Sequence, residues 1–203
     1  MAVLIPGFRY RAGARSALGL FGLLFCISAC GGSTHKSSAP LTSTDSIKAS
    51  PAGWVLYRDP SGVSMRKPTS WTVTAGIEGP LVIYIDPASG VPFRRNINVL
   101  HQVEPQAVTL SQYSDVTEQE LQGIRDFVQS SLGPVTLSGH PAMRTVYSGT
   151  LPGTSEKLEV LSEWTIIGGK PWLVTYTSDP SRFKEPLASV QRLIDSIQFP
   201  SQS

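Results

Sequence analysis

Cysteine is nearly absent from this chain. There are two, Cys26 and Cys30, and none in the 173 residues that follow. That later part can form no intramolecular disulfide and no thiolate metal site. Charge of one sign is also scarce, with 17 basic residues against 15 acidic ones. Nothing there points to nucleic acid or to a polybasic membrane patch. No long hydrophobic run exists either. The longest apolar stretch, Ala17 to Ile27, is 11 residues, whereas a spanning helix needs roughly 20.

Signature motifs of chemistry are missing as well. The sequence has no His-Glu-x-x-His, no Gly-x-Ser-x-Gly elbow and no Gly-x-Gly-x-x-Gly. Gly169-Lys170 lacks the upstream glycine and following hydroxyl of a phosphate-cradling loop. Ser33-Thr-His-Lys36 matches Ser-x-x-Lys, but it lies in a polar tract with no fold around it.

What is present begins at the N-terminus. Arg9, Arg11 and Arg15 precede the apolar run with no acid among them, and Ile27-Ser-Ala-Cys30 closes it. A basic segment, an apolar segment and a small-residue break read as a secretory signal over residues 1–29. Tyr10 separates Arg9 from Arg11, so there is no twin-arginine pair. A cysteine after Ile-Ser-Ala looks like a bacterial lipobox, whose thiol receives diacylglycerol and becomes the new N-terminus. Cys30 is therefore the expected lipidation site and membrane anchor. A plain cleaved signal, with Cys30 incidental, is the alternative. Cleavage before Cys30 leaves 174 residues with 14 basic and 15 acidic side chains, a formal net charge of −1.

Residues 30–51 read as the lipidated cysteine and a tether. The tract is rich in Ser, Thr, Gly and Ala and has no aromatic residue. Such a composition buries too little apolar surface to offset its ordering entropy. As a coil, its 20 residues after Cys30 would span about 25 Å. The expected location is the cell membrane or outer membrane, with the domain periplasmic or otherwise extracytoplasmic. Gly31 after the cysteine, in place of Asp, reads as an outer-membrane address in a cell with two membranes.

One globular domain is expected over residues 52–200. Strands are predicted at Trp54–Arg58, Val63–Arg66, Trp71–Thr74, Leu81–Ile85 and Asn96–His101. From Thr109 to Ser130 the apolar residues recur in steps of three, four and seven, which predicts an amphipathic helix. Thr109 and Gln112 form its capping box, and Gly133-Pro134 terminates it. Strands follow at 134–137, 142–148, 157–167 and 171–177. Gly168-Gly169 marks a two-residue hairpin. A second helix starts near Leu187, with Pro186 in its first turn. Blocks of hairpins with helices between them predict an α+β fold: a central antiparallel sheet with helices packed on both faces.

Several residues invite a chemical reading. His101 and His140 could be a metal pair or an acid–base group, but no ligand spacing connects them, so both are expected to face water. Glu156, Glu159 and Glu163 are expected on a solvated strand face. Arg94-Arg95 is expected to be solvated in a loop. Trp54, Trp71, Trp164 and Trp172 are expected in the core rather than in a ligand groove. Catalytic, cofactor and metal residues are expected to be none.

Tyr57-Arg-Asp-Pro-Ser-Gly-Val63 followed by Met65-Arg-Lys-Pro-Thr-Ser-Trp71 resembles the opening hairpin of PsbP-like domains. Thr109 to Tyr113, Leu137 to Ala142 and Gly168 to Thr177 keep the order of that superfamily's later features. Over residues 54–199 the chain resembles bacterial lipoproteins of this superfamily, of the DcrB and LpqN types. The resemblance implies an α/β/α sandwich. Its members range from a stabilising subunit of photosystem II to GTPase-docking and envelope proteins, and no functional residue carries over. The expectation is a non-catalytic envelope lipoprotein that binds or assembles an envelope protein complex. A small-ligand carrier is the alternative, and a hydrolase is a remote one. Expected partners are the membrane through Cys30 and an envelope protein, with no nucleic acid.

Overall fold

The computed structural model describes residues 52–76, 81–87, 90–151 and 155–200. The signal over 1–29, Cys30 and the tether lie outside the described residues.

A two-stranded hairpin comes first, with β1 (Trp54–Arg58) antiparallel to β2 (Ser64–Pro68). Its turn is tied by Asp59, whose side chain accepts from the Ser61 N–H at 2.9 Å. Seven further strands are β3 (Thr72–Thr74), β4 (Leu81–Tyr84), β5 (Asn96–His101), β6 (Arg125–Leu137), β7 (His140–Thr150), β8 (Lys157–Ile167) and β9 (Lys170–Ser178). They form one antiparallel sheet in the order β3-β4-β5-β9-β8-β7-β6. The helices are α1 (Leu110–Leu121) and α2 (Leu187–Asp195).

The order explains the connections. Neighbouring hairpins need only short turns, and β6 to β9 run as a meander. Gly168 and Gly169 take φ of 57° and 76°, the left-handed pair that matches the strand twist. β5, however, sits beside β9, while the next strand, β6, lies at the far edge. The chain bridges that distance with α1. Tyr113 on α1 packs with Trp164 of β8 and Leu173 of β9, and Leu121 at its end packs with Tyr147 of β7 and with Leu158 and Val160 of β8.

The main core gathers Val190, Leu193 and Ile194 of α2 with Leu161, Val174, Tyr176, Ile97, Ile83 and Met65. Along β8 the two environments alternate. Leu161 and Ile167 belong to the α2 core, and Leu158, Val160 and Trp164 to the clusters that hold α1 residues. That alternation is the pleat of a strand whose side chains are buried in turn. Each fully buried large side chain contributes about 1.5–3 kcal/mol.

Most strands fall where the sequence places them. The long helix does not. It ends at Leu121, and the chain from Arg125 onward is strand β6. Thr109 caps the helix as expected: its Oγ1 accepts from the Gln112 N–H at 3.2 Å, and Gln112 Oε1 accepts from the Thr109 N–H at 3.0 Å. The break comes after Gly123, and Asp126 adopts φ of 57°, which no helix accommodates. β6 then carries irregularities between Arg125 and Val128 and between Gln129 and Ser131. A bulge inserts a residue and shifts the period-2 alternation. The apolar residues Ile124, Phe127 and Val128 therefore mimic helical spacing. Gly133 and Pro134 do not stop a helix but pair with Arg144 and Met143 within the sheet.

Candidate interaction surface

The residues that looked chemically interesting are dispersed. His101 ends β5 and His140 begins β7, with β9 and β8 between those strands. His101 is exposed and sits edge-on to Trp172, with ring centroids 5.1 Å apart. Partial burial and the Lys170 charge lower its pKa. Among the described residues no group of three or more His, Cys, Asp or Glu could hold a metal ion.

The tryptophans are mostly core. Trp71, Trp164 and Trp172 are buried. Trp164 Nε1 donates to Ser114 Oγ on α1 at 2.9 Å, and Trp172 packs 4.7 Å from the Phe199 ring. Trp172 stands opposite Thr165 across the ladder, so it and Trp164 point to opposite faces. They cannot line one pocket. Tyr84 is buried as well, with the Arg94 guanidinium 3.9 Å from the centre of its ring.

Two of the solvated expectations are overturned. Glu163 is buried, and Arg144 Nε donates to its Oε1 at 2.7 Å. Arg144 Nη2 also donates to Gln191 Oε1 on α2, at 2.7 Å. Burial raises the Glu163 pKa, opposed by Arg144. Glu159, four residues away on the same face, lies roughly 13 Å along the strand. That is too far for the paired carboxylates of a glycosidase.

Arg94 and Arg95 are not loose either. Arg95 is buried, and its Nε and Nη2 donate to Asp86 Oδ1 at 3.0 and 2.8 Å, while its backbone N–H donates to Asp86 Oδ2 at 3.0 Å. Arg182 Nη2, from the loop before α2, reaches the same Oδ1 at 2.7 Å. Arg95 Nη1 donates to Glu185 Oε2 at 2.6 Å. Burial alone would raise the Asp86 carboxyl, but these donors and charges hold it below its ordinary value. The network ties the β4–β5 connection to the segment leading into α2. A sequence signal existed: Asp86 follows β4 and Arg95 precedes β5, so closing the hairpin brings them together. The contribution of Arg182 and Glu185, some 90 residues later, left no such trace. Both ion networks spend their charges on each other within the fold.

The open feature is β6. It ends the order of the seven-stranded sheet and pairs only with β7 among the described residues. It is 13 residues long and mostly exposed, with Val128 57% and Leu132 38% accessible. From Phe127 to Leu137 it carries no charge, although natural edges are usually guarded by charge. The two-residue turn at Ser138-Gly139 makes Leu137–His140 a hydrogen-bonded pair, and the pairs alternate from there. Val135 and Gly133 thus bond to β7, while Leu132, Pro134 and Thr136 present their backbone groups outward. Pro134 has no N–H to lose in that outward phase.

No family model and no curated protein matches this sequence. Solved structures do match. A Pseudomonas aeruginosa protein of unknown function, proposed as a regulator, superposes with a TM-score of 0.53 at 14% identity, covering 74% of this chain and 99% of its own. The cyanobacterial PsbP of Synechocystis sp. PCC 6803 gives 0.53 at 16% identity, over 75% and 95%. The fold is PsbP-like. Mycobacterium tuberculosis LpqN, a protein involved in cell envelope biogenesis, shares this PsbP-like fold, with a TM-score of 0.54 at 14% identity over 73% and 91%. Identities this low speak to the fold and not to the activity. Among the described residues no helix is long and apolar enough to cross a membrane.

Proposed function

We propose that this protein is a non-catalytic lipoprotein of the cell envelope that docks an envelope protein partner. Cys30 carries the acyl anchor, residues 31–51 are the tether, and the domain lies on the extracytoplasmic side. In this reading α1 and α2 cover opposite faces of the sheet, as the alternation along β8 supports. Helical cover on the two faces leaves the edges of the sheet for contact. The observation that carries the proposal is the exposed β6 edge, charge-free from Phe127 to Leu137. Leu132 and Thr136 offer outward N–H and C=O groups, and Pro134 a C=O, to an extended strand of the partner. Anchoring raises the effective concentration of such an edge near membrane partners, so a weak contact suffices. The likeness to LpqN favours an envelope setting. The ligand-carrier reading loses support because Tyr84, Trp164 and Trp172 are each packed by other side chains.

The test is site-specific photo-crosslinking in cells, with the probe at Leu132 on β6 or at Gln119 on α1. A discrete adduct from position 132, absent from 119 and lost on Val128→Lys, supports docking at this edge. Equal labelling from both positions, or none from either, rejects it.

A further inference from the structure

The β1–β2 hairpin shows an outer face with an unusual composition. By strand alternation Trp54, Leu56 and Arg58 share that face of β1. Their cross-strand partners Pro68, Arg66 and Ser64 share it on β2. The opposite face supplies Met65 and Tyr57 to the main core, and the half-buried Trp54 also packs on that core, with its ring 6.5 Å from that of Trp71. Leu56 is 48% exposed, and its neighbour Val55 40%. Arg192 of α2 extends the patch, with its guanidinium 5.4 Å from the centre of the Trp54 ring. The contacts are continuous: Arg192 on Trp54, Trp54 beside Leu56, Leu56 opposite Arg66, and Arg58 next along the strand.

Three arginines, a tryptophan and an exposed leucine meet there, and none of the six outer strand residues is acidic. Two neighbouring carboxylates are bonded to polar groups of their own segments. Asp195 Oδ1 accepts from Gln191 Nε2 at 2.7 Å, and Asp59 accepts from Tyr57 and Ser61. The patch also lies where the chain enters the domain. Trp54 is 24 residues after Cys30.

We propose that the outer face of the β1–β2 hairpin binds an anionic lipid surface, seating the tethered domain on its membrane with Trp54 and Leu56 at the headgroup level. This rests on the tethered reading for its orientation, but the patch itself is a property of the described domain. Guanidinium groups bind phosphate oxygens in pairs of hydrogen bonds. Tryptophan favours the membrane–water interface, where one end of the ring system is apolar and the other wet. A negative surface potential attracts each basic residue and fades within a Debye length. Lipid is favoured over a folded protein partner because the patch sets the exposed Arg58 and Arg192 beside apolar groups, with no acidic residue among the six outer strand positions. It would also leave the outward edge of β6 available for docking.

The experiment reconstitutes the full-length protein into phosphatidylcholine vesicles, with or without phosphatidylglycerol, whose acyl chains carry bromine. Flotation with the vesicles reads the anchor. Quenching of Trp54 fluorescence, taken as the difference from Trp54→Phe, reads the patch. The expected result is Trp54 quenching in anionic vesicles only, lost in Arg58→Glu/Arg192→Glu and in 1 M salt, where the Debye length is about 3 Å. Both arginines are exposed, so an unchanged melting temperature establishes that the double variant folds. Trp54 quenching that is absent, or indifferent to phosphatidylglycerol and to the double variant, overturns the proposal. Flotation without quenching leaves the tether standing and sinks the patch. Quenching without stable flotation does the reverse.

Discussion

Arg95 holds Asp86 in a two-pronged grip, with its Nη2 2.8 Å and its Nε 3.0 Å from Asp86 Oδ1. Both side chains are almost wholly buried, at 11% and 3% exposure. Removing Asp86 leaves the buried Arg95 only Glu185, a largely exposed carboxylate, as its counter-charge. Asp86→Asn is therefore expected to destabilise the domain by about 3–5 kcal/mol, seen as a lower urea midpoint with an unchanged slope. The pH dependence follows from the same contacts. The folded-state pKa of Asp86 lies below its unfolded value. Its contribution is complete above the unfolded carboxylate range and disappears as pH falls through the depressed folded value. The variant loses that acid-side slope.

Glu163 behaves in the opposite sense. Burial raises its folded pKa, so the folded state binds the proton more tightly than the unfolded chain does. Stability should decline as pH rises from the unfolded value, about 4.3, through the raised folded value, and then level off. Glu163→Gln removes the titration and flattens this decline. Urea midpoints across the mildly acidic range, compared between the wild type and the variant, check it. An identical decline in both rules out Glu163 as its source.

The turn after α1 presses onto β7 at Gly149. A Cβ there would lie 2.6 Å from Ile124 Cγ2 and 3.1 Å from the Arg125 carbonyl oxygen. Gly149→Ala is expected to cost about 1–3 kcal/mol as overpacking, measured by thermal or urea unfolding. Ile124→Ala in the same chain removes the tightest contact and should recover part of that loss.

Leu132 projects from an edge strand and is partly exposed. Leu132→Lys should change stability by no more than about 0.5 kcal/mol. It should nevertheless abolish partner capture, because it plants a charge on an otherwise neutral edge. A large stability loss would mean that the residue serves the fold instead.

Much of the fold was legible. Val63 and Met65 alternate inward, Gly168-Gly169 closes a hairpin, and Thr109 with Gln112 caps α1, because each signal is local. The misread stretch, 122–134, shows what locality misses. Bulges in β6 disguise its period, and only pairing with β7 reveals a strand. The ion networks were hidden for a related reason. Arg95 and Glu163 read as surface residues because their networks draw on distant segments, Arg182 and Glu185 for the first and Arg144 and Gln191 for the second. The β6 edge was hidden behind the helix assignment, and the basic outer face of β1–β2 appears only once Arg192 is brought to Trp54.

The proposed placement of the domain at a membrane rests on Cys30. The direct measurement is intact and peptide mass spectrometry of the protein isolated from cell membranes. The predicted result is a mature N-terminus at Cys30 carrying diacylglycerol, with Cys30→Ser shifting the protein out of the membrane fraction. An N-terminus elsewhere, or an unmodified Cys30 on a protein that stays membrane-bound, would contradict it.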